Sequence, residues 1–179
     1  MKKILSILGA ISLVGTSTTS LVSCDTPQEY TSQEYTQQEL KELKEKNKIN
    51  TTDETIKNNL EWIAPQQKPF NKVDNKYYYV VWRGHKNNDW KIIKFKNEKD
   101  IILNIDNDPN IKLGKTELFI NGYSSGNDLC LQTRPGSAIS IASFQKDNGI
   151  YFKSVYRWNL DTQEPNLNID KDGNVIVKN

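Results

Sequence analysis

Cys24 is the residue whose chemistry is best defined by its neighbours. It closes the run Leu21-Val22-Ser23-Cys24, behind the apolar stretch Ile4 to Val14 and the charged pair Lys2 and Lys3. A basic start, a short apolar stretch and small residues at a cleavage point are the organisation of a secretory signal. A cysteine placed first after that point offers a thiol for thioether attachment of a diacylglyceryl group. Two acyl chains hold a protein stably at a membrane surface, where one chain anchors it only marginally. The expected leader is therefore residues 1–23, and the mature chain begins at Cys24. A spanning helix fits less well, because it needs about 20 mostly apolar residues, and Thr16-Ser17-Thr18-Thr19-Ser20 interrupts the run.

Other residues with chemical potential are scattered. The chain has two cysteines, and with Cys24 carrying lipid, Cys130 has no intramolecular disulfide to make. Set between Leu129 and Leu131, it reads as a small buried hydrophobe. A nucleophilic Cys130 would need a base, and the single histidine, His85, lies in the polar, turn-like stretch Gly84 to Asp89. Four tryptophans and eight tyrosines are the most pointed feature of the body. Trp82, Trp90, Tyr156 and Trp158, with Arg83 and Arg157, could form an aromatic and basic surface of the kind that stacks on sugars, bases or a partner protein. Tyr123 and Arg134 are further candidates for it. Strand alternation supports a competing role in the core, since Ile150, Phe152, Tyr156 and Trp158 then share one face.

Two acidic stretches have oxygen ligands. Asn168 to Asn174 spaces them alternately with a glycine at the sixth place, like the start of a calcium loop. A hairpin turn at Asp172-Gly173 between Ile169 and Val175 explains the same residues and is the reading adopted. Asp106 to Asn110 is likewise expected to be a turn. No metal or cofactor is expected. Gly-rich phosphate loops, His-Glu-x-x-His and Cys-x-x-Cys are missing from the sequence, so the expectation is a protein that is not an enzyme.

The opening MKKILSILGAISLVGTSTTSLVSC resembles the leader of surface lipoproteins of the wall-less bacteria, particularly the spiroplasma group of mollicutes. Val155-Tyr156-Arg157-Trp158, followed by Glu164-Pro165 and Ile169-Asp170-Lys171-Asp172-Gly173, is similar to a recurring C-terminal pattern in those lipoproteins. That resemblance implies display on the outer face of a cell membrane, lipid-anchored through Cys24, without assigning an activity. The segment Tyr77 to Leu129 faintly resembles the N-terminal portion of ribosome-inactivating N-glycosidases. The helix bearing that family's catalytic Glu and Arg has no counterpart here, so this second resemblance implies no activity.

These candidates need a scaffold, and composition bounds it. Charged residues make up 26% of the chain, and Lys plus Arg number 24 against 22 for Asp plus Glu. Loss of Lys2 and Lys3 with the leader makes the mature chain formally neutral. A nucleic-acid partner is not expected, because a nucleic-acid binder shows a basic domain or stripe. Residues 24–50 are polar and read as a lipidated tether, with Thr36 and Glu39 at capping-box spacing for a short helix to about Asn47. Residues 51–179 read as one globular domain. A second helix is expected from Thr51 or Asp53, with Ile56, Leu60 and Ile63 as its apolar stripe and Pro65 as its stop.

From Lys76 onward aromatic and β-branched runs alternate with turn residues. Strands are expected near Tyr77 to Arg83, Asp89 to Lys96, Asp100 to Ile105, Thr116 to Asn121, Leu129 to Gln132, Ala138 to Phe144, Ile150 to Trp158 and Asn174 to Val177. The fold class is therefore mainly β: a small antiparallel β-sandwich or barrel, preceded by one or two short helices and a flexible N-terminal tether. The function expected of it is binding or adhesion to a host or envelope component. A degenerate or unrecognised enzyme, for example hydrolase or N-glycosidase-like, and a structural surface coat are the alternatives.

Overall fold

The computed structural model describes residues 34–110, 114–123, 126–134 and 139–178. Two four-stranded antiparallel sheets and a hairpin make up its β structure. The first sheet has the order β1 (Leu60–Trp62), β8 (Phe152–Trp158), β2 (Tyr77–Trp82) and β3 (Lys91–Lys96). The second runs in simple meander order through β4 (Ile102–Asn110), β5 (Gly114–Tyr123), β6 (Gly126–Arg134) and β7 (Ile139–Ser143). Strands β9 (Leu167–Ile169) and β10 (Val175–Val177) pair as a separate hairpin.

Strand β2 explains the layering. Its residues Tyr78, Val80 and Trp82 point one way and Tyr79 and Val81 the other, and all five are buried. The first set packs with Leu118 and Ile120 of β5 and Leu129 and Leu131 of β6, so one core lies between the two sheets. The second set packs with Ile56, Leu60, Tyr156, Trp158 and Val175. That second core lies under helix α2 (Glu54–Asn59) and the β9–β10 hairpin. The fold is thus a sandwich whose first sheet is covered on both faces, and full burial of each large apolar side chain contributes about 1.5–3 kcal/mol.

Strand β8 corrects the simple alternation. Val81 pairs with Ser154 but Trp82 pairs with Phe152, so Lys153 is the extra residue of a bulge. The bulge reverses which face the strand presents. Phe152 joins the core between the sheets, whereas Tyr156 and Trp158 join the second core. Ile150, expected on the same face, lies outside the strand and is 38% exposed.

Helix α1 (Gln37–Lys46) starts at the capping box expected from sequence, with the Thr36 side chain accepting from the Glu39 amide and Glu39 accepting from the Thr36 amide. It lies within the stretch expected as a tether, yet residues 35–49 are packed on the body. Tyr35 and Gln66 exchange two hydrogen bonds, Lys44 pairs with Glu61, and Ile49 enters the second core. Helix α2 is capped by Asp53 rather than Thr51, and it ends at Asn59 instead of running to Pro65. Leu60 to Trp62 become strand because β8 offers them a ladder, with Leu60 opposite Trp158 and Trp62 opposite Tyr156. The supposed helical stripe then divides: Ile56 and Leu60 enter the second core and Ile63 the first.

Two turns resolve differently. Asp106 to Asn110 is strand, not turn: it pairs with Gly114 to Leu118 on the outer edge of the second sheet, where Pro109 costs no ladder bond. Asp172-Gly173 is the expected hairpin turn, with Ile169 opposite Val175 and Gly173 at φ +78°.

Candidate functional site

The aromatic and basic residues singled out from sequence do not assemble into one surface. Trp82 is fully buried and Trp158 is 2% exposed, so neither ring reaches a ligand at the surface. Trp82 spends its indole N–H on Asp106, 3.2 Å away. Trp158 donates to the Thr162 carbonyl, and the Tyr156 hydroxyl donates to the Asn47 carbonyl. Burial pushes the Tyr156 hydroxyl up to about 12, which keeps it a neutral donor at physiological pH.

Arg157 is taken up by an ion network. It lies 2.8 Å from Glu61 and 3.6 Å from Asp74, and Glu61 also meets Lys44. Tyr78 donates to Asp74, and Asn159 donates to Glu61. Burial alone would raise the Glu61 carboxyl, but hydrogen bonds from Lys44 and Asn159 and the charges of Arg157 and Lys44 outweigh it and hold it below its ordinary value. This network joins α1, β1, β8 and the segment before β2, so its role is structural. Tyr123 and Arg134 end β5 and β6, and their side chains lie outside the described residues. Cys24 does too.

Arg83 and Trp90 do come together. The Arg83 guanidinium stands 4.2 Å over the Trp90 ring, and the Lys153 ammonium is 5.7 Å from the same ring. Gly173 of the hairpin packs so closely that a Cβ there would sit 2.8 Å from the indole. Trp90 is therefore a half-buried post that joins β3, the β8 bulge and the hairpin rather than an open stacking platform. Sequence reasoning missed Lys153, whose placement depends on the bulge.

A loop at the same end is pinned by a buried carboxylate. Asp108 accepts from the Gly84 amide at 2.6 Å and from the Asn88 side chain at 2.7 Å, and Lys91 stands 3.7 Å away. Thr116 donates to the Gly84 carbonyl. His85 is held within this loop, its Nδ1 accepting from the Asn87 amide. Cys130 lies in β6, donating to the Asp128 carbonyl, so histidine and thiol belong to different settings. The Asp170 carboxylate, part of the calcium-like spacing, accepts from the Asp172 and Asn174 amides and from the Asn174 side chain. Those bonds hold its carboxyl below the ordinary range.

One cleft among the described residues, of about 150 Å³, lies between β1, β8 and the connection from β7 to β8. Trp62, Pro65, Phe144 and Phe152 supply apolar walls, and Asp147 and Lys153 are among its polar members. Asp147 turns its carboxylate onto the amides of Gly149, Tyr151 and Phe152 at 2.9, 3.1 and 3.0 Å. Those bonds shape the connection and leave Asp147 little capacity for other chemistry.

No family model, curated protein or solved structure matches this chain.

Proposed function

We propose that this protein is a lipid-anchored surface lipoprotein whose β-sandwich is a binding or adhesion module for a host or envelope component. The observation that carries the reading is the succession Lys2-Lys3, Ile4 to Val14 and Leu21-Val22-Ser23-Cys24, which is a leader ending at a lipidation cysteine. The anchor would tie the body to the extracellular face of a cell membrane. No described helix is long and apolar enough to cross a membrane, so the leader's cysteine is the attachment this reading relies on.

Two features of the body support binding over catalysis. The described cleft holds about 150 Å³, below the roughly 300–1,000 Å³ of sites that enclose small molecules. Its carboxylate, Asp147, is consumed by three backbone amides. Nucleic acid is disfavoured as a partner because Lys44, Lys76, Lys91, Lys94 and Arg157 are matched by carboxylates.

The decisive comparison is wild type against Cys24→Ala in a host that processes lipoproteins, followed by intact mass and detergent-phase partition. Wild type carries the acyl mass and partitions with detergent, whereas the variant loses both. Identical mass and partition for the two proteins would remove the anchor and, with it, the argument for surface display.

A further inference from the structure

We infer that the cleft between β1, β8 and the β7–β8 connection receives a single aromatic side chain from an acidic segment of a partner protein. The inference rests on the binding-module reading above and names its site; it does not depend on the anchor.

Size selects the occupant. A volume of about 150 Å³ matches a benzene-sized group. One ring inserted in an apolar pocket is the anchor form by which protein interfaces concentrate their binding energy. The walls suit a ring: Trp62 and Phe144 contribute aromatic surface, and Phe152 stands edge-on to Phe144 with centroids 5.8 Å apart. Ile150, 38% exposed, directly follows Gly149 of the lining in the chain.

Charge selects the segment around that ring. Lys153 lines the cleft, and its ammonium donates to the Asp172 carbonyl at 2.6 Å. Arg83 donates to the Ile150 carbonyl at 2.7 Å and otherwise faces Trp90. Neither cation has a carboxylate within ion-pair distance among the described residues, unlike Lys44, Lys76, Lys91, Lys94 and Arg157. Asp170 lies within the field of Lys153, and its oxygens are held by its own turn. Asp147, the carboxylate of the cleft itself, is held by backbone amides. Two cations with no carboxylate at ion-pair distance among the described residues complement a partner with carboxylates beside its aromatic residue, and such complementarity raises association rate and specificity.

The test uses the full chain and three acetylated, amidated nonapeptides: glutamates around one central phenylalanine, the same peptide with central alanine, and lysines around the phenylalanine. Binding is read by calorimetry and by the indole resonances in heteronuclear NMR, with Trp62 assigned by Trp62→Phe. The glutamate–phenylalanine peptide should bind at least about tenfold more tightly than either control, and it should shift the Trp62 indole. Lys153→Glu should weaken it by about tenfold and Lys153→Arg should restore it, with unchanged melting temperature confirming that each variant is folded. Equal affinity for phenylalanine and alanine peptides, an unmoved Trp62 indole or no measurable binding would overturn the assignment. Because these readouts ignore lipidation, such a failure is distinguishable from a failed Cys24→Ala experiment.

Discussion

Gly84 shows how much of this molecule depends on single atoms. A Cβ at that position would stand 2.7 Å from the Asp108 Cβ and 2.9 Å from the Thr116 Cβ, both on neighbouring strands. Only a glycine lets its amide reach the Asp108 carboxylate while its carbonyl accepts from Thr116. Gly84→Ala should therefore cost about 1–3 kcal/mol by overpacking, seen as a lower urea midpoint with an unchanged slope; an unaltered midpoint would mean that the loop has room the structure does not show. Glu61 makes a prediction of a different sign. Its folded carboxyl titrates below the ordinary 4.5, so between the two values the unfolded chain binds the proton and the folded chain does not. Stability from this group is complete above about 4.5 and is lost as pH falls through the lower folded value. Glu61→Gln should be less stable than wild type near neutral pH, and its stability should fall less steeply on acidification through that window. Equal slopes in parallel acid titrations of melting temperature would contradict the assignment.

Among elements, the β9–β10 hairpin is the most exacting. It has three residues per strand, too few to hold together alone, and it is retained because Val175 enters the second core and Gly173 sits against Trp90. Gly173→Ala adds a methyl that would meet the indole at 2.8 Å, and it places a side chain at φ +78°. The left-handed backbone alone costs about 1–2 kcal/mol. We expect that loss in stability together with a red shift of tryptophan emission as the hairpin lifts from Trp90, and unchanged emission would place the strain elsewhere. The helix expected as far as Pro65 gives way after Asn59 for a related reason. A 3.6-residue periodicity in Ile56, Leu60 and Ile63 is compatible with a helix, but the free edge of β8 supplies backbone partners for Leu60 to Trp62 that a final helical turn could not match.

At the level of the whole molecule, β2 couples two cores. Tyr78, Val80 and Trp82 belong to the one between the sheets, and Tyr79 and Val81 belong to the one under α2 and the hairpin. Loss of β2 from either core removes it from both, so urea unfolding followed by far-ultraviolet circular dichroism and by tryptophan emission should give one coincident transition. Two separated transitions would show that the cores fold independently. The same coupling removes three of the residues proposed for recognition from the surface, since Trp82, Tyr156 and Trp158 are consumed as core.

The chain by itself determined the mainly β class, most strand positions, the Thr36 capping box and the Asp172-Gly173 turn, because each is encoded within a few neighbouring residues. Tertiary structure decided the rest. Alternation assigns side chains to two faces of a strand but cannot say that both faces of β2 are covered, nor that a bulge at Lys153 reverses β8. Arg157 looked available until Glu61, 96 positions earlier, was brought to 2.8 Å. Charge pairing of that kind depends on distance in space, which sequence separation does not reveal. For the same reason, the meeting of Trp62, Phe144 and Lys153 around one cleft could be read only after the strands had been placed.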